Sequence, residues 1–294
     1  MAASLSLPAN ARPFAIAAYP CSGADWCARL LALHPHIAIV DAADPLGPLG
    51  NGECTVGSEV PPPPDLAARV QRALADKPTA QRVGVVVLTG TRTGFDGDRI
   101  VVVRDGRDVL VHWTLRQLRE RGPVLQRFVG KPEPDCRVPE LARRFAADPS
   151  DVLERNRGLL LADYDWVRYG AYLWSEALDG HFGALAWEND HPSDERDPRT
   201  VNFDEARVAP RATFDDLCGW LGLDPALVPP FATVDPVEAA EPDPLRRADW
   251  ESGVWPRWFT KRASNLFKMD GRTGMDSLAG CTFDDTWEGE CPPA

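Results

Sequence analysis

The chain is short of cations for its size. Only 32 Lys and Arg stand against 44 Asp and Glu, a net charge of −12 at neutral pH. That deficit excludes the broad basic face that nucleic acid or a polyanionic glycan demands, though not a few arginines focused on one small anion. Long apolar runs are missing too: nothing approaches the roughly 18 residues of a membrane helix. The opening MAASLSLPANARPFAIAAYP has no charged first region and too brief an apolar stretch for a secretory leader. Cys21, Cys27, Cys54, Cys136, Cys218, Cys281 and Cys291 are odd in number and scattered, with no CxxC pair and no Cys/His cluster. This usage implies a reduced, cytoplasmic setting and no structural metal. No internal repeat is visible.

What is present is an alternation of short β-branched runs and helical patterns. Residues 14–19 read as a buried strand feeding a helix over 25–33. Residues 41–64, rich in Gly and Pro and ending PPPP, read as a loop. A helical spacing of apolar residues covers 66–75. VGVVVLT (83–89) and RIVVV (99–103) have the composition of central parallel strands. A helix is expected over 108–121, a second over 164–178, a strand over 200–203 and a helix over 214–221 closed by Gly222. The stretch 223–245 reads as a Pro- and Asp-rich loop. Strands alternating with helices imply an α/β three-layer sandwich around a parallel sheet, in a single domain. Within it, 122–162 reads as a helical insertion or lid and 281–294 as a flexible tail.

Three stretches carry chemistry. The first, AYPCSGADWC (18–27), is a strand–turn–helix whose backbone N–H groups and helix dipole can cradle an anion, with Gly23 allowing close approach and Ser22 adding a hydroxyl. It is no Walker loop, since the single Gly-Lys pair, Gly130-Lys131, precedes Pro. Nor is it a C-x5-R phosphatase loop, since Cys27 stands where arginine is needed. An ordinary βα turn fits the same residues. The second, RIVVVRDGRDVLVHW (99–113), puts Arg104 at the carboxyl end of a strand, where such sheets bind ligands and where a guanidinium suits phosphate. A surface ion pair of Arg104 with Asp105 or Asp108 is the plainer reading. The third, LRRADWESGVWPRWFTKRASNLF (245–267), interleaves Arg246, Arg247, Arg257, Lys261 and Arg262 with Trp250, Trp255, Trp258 and Phe259; solvated cations beside core tryptophans would look the same.

In order and spacing the three stretches resemble the sulfotransferase superfamily, whose members move a sulfuryl group from 3′-phosphoadenosine-5′-phosphosulfate (PAPS) to a hydroxyl or amine. The family's Y-P-[KR]-S-G-T-x-W loop is matched by Y-P-C-S-G-A-D-W (19–26). Its R-[DN]-P-[RK]-D-V-x-V-S is matched by R-D-G-R-D-V-L-V-H (104–112). Its R-K-G…G-D-W-x-x-x-F-T is matched by R-R-A…G-V-W-P-R-W-F-T (246–260). TVNFDEA (200–206) with FDDLCGWLG (214–222) resembles a further strand and helix of the family, so the likeness spans about residues 12–275.

The resemblance implies a P-loop-like sulfotransferase fold, PAPS as donor, no metal, and a small-molecule acceptor, with neither nucleic acid nor membrane as partner. It assigns Ser22, Gly23, Ala24 and Asp25 to the 5′-phosphate, Trp26 to adenine, and Arg104, His112 and Arg246 or Arg247 to the 3′-phosphate. Thr233 falls near the adenine position. Departures gather at the chemistry. Cys21 replaces the loop cation, Ala24 removes a hydroxyl, and Asp25 adds a carboxylate that can instead cap the helix. Gly90 stands where the family places its base histidine, and Arg92 nearby offers only a cation. His112 and Cys21 are then the candidate catalytic groups. The alternative is the same fold retooled as a non-sulfating enzyme or a nucleotide-binding pseudoenzyme.

Overall fold

The computed structural model describes residues 7, 8, 10–40, 65–88, 98–130, 136–190, 198–231, 235–242 and 244–270. The expected loop at 41–64, the tail at 281–294, and Gly90, Arg92 and Thr233 lie outside them. In chain order the elements are β1 (Arg12–Ala18), α1 (Ala24–Leu31), β2 (Ile37–Val40), α2 (Leu66–Asp76), β3 (Arg82–Leu88), β4 (Asp98–Val103), α3 (Gly106–Glu120), α4 (Pro123–Val129), α5 (Val138–Ala147), α6 (Tyr164–Asp190), β5 (Arg199–Asn202), α7 (Phe203–Val208), α8 (Pro210–Trp220), α9 (Pro236–Ala240), α10 (Pro244–Asp249) and α11 (Lys261–Asp270). The described residues divide into two compact units, one holding residues up to 104 and 180–250, the other 105–179 and 251–270.

The first unit is built on a wholly parallel five-stranded sheet ordered β2-β3-β1-β4-β5. Its strands are apolar on both faces because helices cover both. Phe14, Ile16 and Ala18 of β1 point into a core shared with Trp26, Leu30 and Leu31 of α1, Phe203 of α7, and Phe214 and Leu217 of α8. The alternate residues Ala15, Val83, Val85 and Val87 meet Leu66 and Val70 of α2 on the opposite face. Burial of each large side chain contributes about 1.5–3 kcal/mol. The result is a three-layer α/β arrangement. The chain leaves β1 toward β2, returns through β3, and crosses to β4, so the direction of winding reverses between β1 and β4. In parallel sheets such a reversal opens the crevice where ligands bind, at the carboxyl ends of the strands.

The second unit is helical. The Trp113 and Trp166 rings stack with centroids 4.7 Å apart, and the Trp166 indole N–H donates to the Thr114 hydroxyl at 2.9 Å. Asp105 caps α3 by accepting from Arg107 N at 2.8 Å. Within 122–130 and 136–162 lie α4, α5, and single turns at Asp151–Arg155 and Arg157–Leu159.

Three elements differ from the sequence reading. The strand β2 has only four residues, IAIV, too few for a periodic signal. The strand expected over 200–203 stops at Asn202, because that side chain accepts from Asp204 N at 3.0 Å and starts α7 at Phe203. Within 223–245 the chain folds into α9 and α10 rather than continuous loop; Asp235 followed by Pro236 caps α9 through Val237 N and Glu238 N. Among the described residues no helix is long and apolar enough to cross a membrane.

Candidate functional site

The site in the first unit grows from the end of β1. After Ala18 the chain turns sharply: Ser22 N donates to Tyr19 O at 3.1 Å, Cys21 adopts φ +67° and Gly23 φ +90°. Cys21 accepts the left-handed conformation at a cost, whereas Gly23 could not be otherwise. A Cβ on Gly23 would lie 2.1 Å from the Phe203 ring. The helix begins when Cys27 N bonds to Gly23 O at 3.0 Å. That leaves the amides of residues 23–26 without partners inside α1, the arrangement that attracts an anion.

The register pairs Ala18 with Val102, so Arg104 falls level with Pro20 and beside Cys21. Its side chain is fully buried. Nη1 donates to Cys21 O and to Asp249 O, both at 2.9 Å, while Nε lies 3.8 Å from Asp204 Oδ1 and the guanidinium sits 4.8 Å over the Phe203 ring. One guanidinium therefore gathers the first turn, the end of β4 and the end of α10. Fully buried, Arg104 is not at the surface as the plainer sequence reading had it.

Two tryptophans interlock around this point. Trp26, also fully buried, donates its indole N–H to Asp235 Oδ2 at 2.7 Å and meets Phe203 edge-on at 5.7 Å. Trp250 donates to the Asp25 carboxylate at 3.3 and 3.4 Å, and its carbonyl accepts from Arg207. Asp25 thus occupies the first turn of α1, where a carboxylate favours the helix dipole, and its oxygens also take the Trp250 indole N–H. Ser22 and Ala24 are buried and Cys21 is half-buried. Arg246 and Arg247 lie on α10, with Arg247 exposed. Behind the turn, burial and the Asp25 charge push the Cys27 thiol up to about 12, so it stays protonated and unreactive at neutral pH.

His112 belongs to the second unit. It is buried on α3, and its Nε2–H donates to Glu251 O at 3.0 Å. One turn earlier, Asp108 accepts from Gly253 N at 2.6 Å and Trp255 N at 2.8 Å, and the Arg107 guanidinium lies 4.0 Å over the Trp255 ring. α3 therefore fastens 251–255 through its backbone. Among the described residues no three His, Cys, Asp or Glu side chains gather as a metal would require.

Cys21, Ser22, Gly23, Ala24, Asp25, Trp26 and Arg104 thus come together at the carboxyl end of β1, with the helix carrying Arg246 and Arg247 tied to them through Asp249. Sequence reasoning missed Phe203, Asp204, Asp235 and Arg207. The Asp-Pro pair at 235–236 was a legible helix start; Phe203 and Arg207 had no local signal, since their roles come from residues distant in the chain.

No family model matches the chain, and no curated protein matches it. Among solved structures it is similar to mouse sulfotransferase SULT7A1 complexed with PAP, at 15% sequence identity over 91% of this chain and 87% of that one, with a TM-score of 0.45.

Proposed function

We propose that the chain binds adenosine 3′,5′-bisphosphate, or PAPS as its sulfuryl-bearing form, at the β1–α1 turn, and transfers the sulfuryl group to a hydroxyl or amine of a small molecule. The observation that carries this reading is the Arg104 guanidinium, which joins Cys21 O to Asp249 O and so brings together the segments whose sequences resemble the family's nucleotide motifs. In such a transfer the acceptor oxygen or nitrogen bonds to sulfur as the bond to the bridging phosphate oxygen breaks, and negative charge grows on the departing bisphosphate. With Cys21 in the place of a cation, the amides of 23–26 are the groups left to meet that charge. Loss of one donor in a comparable site costs roughly 10²–10³ in rate, so turnover is expected to be slow.

A second reading, nucleotide binding without sulfuryl transfer, is favoured by two specific observations. The helix begins only at the Cys27 N to Gly23 O bond, which leaves the amides of residues 23–26 able to hold a phosphate, while half-buried Cys21 stands where the transfer needs a cation. Calorimetry with adenosine 3′,5′-bisphosphate tests what both readings share. Micromolar binding is expected, and absence of heat at millimolar nucleotide overturns both. Transfer assays on Cys21→Lys then separate them. A gain of turnover supports a working transferase short of its cation; none in either protein supports the binding-only reading.

A further inference from the structure

Residues 252–269 hold four cations, Arg257, Lys261, Arg262 and Lys268, and no acid, in a chain whose net charge is −12. All four are exposed, in the second unit. A fifth joins them there: exposed Arg157 lies 5.8 Å over the Trp258 ring, and a Cβ on its neighbour Gly158 would come within 3.7 Å of the Thr260 methyl. Elsewhere exposed arginines take carboxylates from the chain's own surplus, as Arg155 does with Asp148 and Arg199 with Asp216. Among the described residues Arg257, Lys261 and Arg262 have no such partner. The helix gives no reason for two of them either. Lys261 and Arg262 stand in the first turn of α11, which holds no acid, the reverse of what the helix dipole favours. Apolar surface accompanies the charge: Trp258 is half-buried, and Met269 at the far end of α11 is 70% exposed. Arg, Trp and Met are the residues that protein interfaces concentrate.

We propose that this face of the second unit docks a separate, acidic polypeptide segment bearing an aromatic side chain. Its carboxylates pair with Arg257, Lys261 and Arg262, the arginines offering a fork that a carboxylate fits. Its aromatic ring lies against the part of Trp258 that Arg157 leaves open. Charge complementarity selects this occupant over other anions. A bilayer matches poorly, because Ala263, Leu266 and Phe267, the apolar side of α11, are already buried in the unit. A long polyanion such as nucleic acid or heparin runs past the patch and meets the acid surplus of the rest of the chain. A short acidic segment needs the patch alone.

Fluorescence anisotropy of the full chain tests this, with a fluorescein-labelled, glutamate-rich Glu–Tyr copolymer as the probe. Binding is expected at low salt and should weaken as salt screens the exposed pairs. R257E/R262E should weaken it about tenfold, by turning two attractive pairs repulsive. Polyglutamate of the same length, or Trp258→Ala with the copolymer, should bind about two- to fivefold more weakly than the parent pair. The charge-matched variant R137E/R143E, on two exposed arginines at α5, should bind as the parent does. A copolymer that fails to bind overturns the proposal, as does an equal loss in R137E/R143E, or polyglutamate held as tightly as the copolymer. Tighter binding of heparin or of phosphatidylserine vesicles assigns the patch to a glycan or a membrane and overturns it too. So does self-association of the parent, followed by sedimentation, that R257E/R262E abolishes, since the occupant is then a second copy. None of these outcomes depends on nucleotide binding.

Discussion

Replacing Arg104 by Met separates an arginine that holds the turn together from one that chiefly holds a phosphate. The native guanidinium is fully buried and donates to Cys21 O and Asp249 O at 2.9 Å. A charged donor contributes about 1.5–3 kcal/mol per hydrogen bond, and a buried carbonyl left without its donor costs about 1–3 kcal/mol. Met keeps the length and the packing on Phe203 but supplies neither bond, and it removes the charge facing Asp204. A loss of about 3–5 kcal/mol is expected, the range found when one member of a buried charged pair is deleted. Urea unfolding should be followed by tryptophan fluorescence and by far-ultraviolet circular dichroism together, because two compact units need not melt as one. At a slope of about 2–3 kcal/mol per molar the midpoint should fall by about 1–2 M. Arg104→Lys, which keeps the charge but not the fork, should fall between Met and the parent. A Met variant that unfolds within about 0.3 M of the parent while losing all affinity for adenosine bisphosphate would refute the cross-linking role.

Two further predictions concern neighbouring features. Gly23→Ala should destabilise the first unit by about 2–5 kcal/mol, from left-handed strain of about 1–2 kcal/mol and overpacking against Phe203 of about 1–3 kcal/mol; the same urea titration reads it, and a midpoint equal to the parent's would mean the ring moves freely aside. His34 is buried with both ring nitrogens used, Nδ1 accepting from His36 N and Nε2–H donating to Asp224 O, and burial, reinforced by His36 and Lys77, holds its pKa below the usual 6.5 against the opposing pull of Asp224. The unfolded chain then binds the extra proton first, so stability is retained above pH 6.5 and declines as pH falls from there through the folded value. Denaturation of the parent and His34→Gln between about pH 7.5 and pH 5 should show a steeper decline in the parent, and parallel profiles would show that His34 is not responsible.

The sheet was legible where composition alone decides. VGVVVL and RIVVV can be little else than strands apolar on both sides, and α2 and α3 follow from helical spacing and an Asp start. β2 was not, because four residues carry no period. The candidate site was legible as three separate stretches, since turn glycines, strand-end arginines and clustered tryptophans each leave a local mark. How their side chains are spent was not. Asp25 stands in the first turn of α1, as its place in the sequence suggested, but that its oxygens also hold the indole of Trp250, far along the chain, was not legible. Arg104 looked like either a phosphate ligand or a surface ion pair; its burial against two carbonyls depends on partners that no window around residue 104 contains.

The bonds from Arg104 run to residues 83 and 145 positions away in sequence. The turn after β1 therefore cannot acquire its shape during early, local steps of folding. It must wait until β4 has joined the sheet and α10 has arrived, so contacts of long sequence separation set its timing. An excised peptide covering 12–33 would hold the residues of the turn but not its geometry.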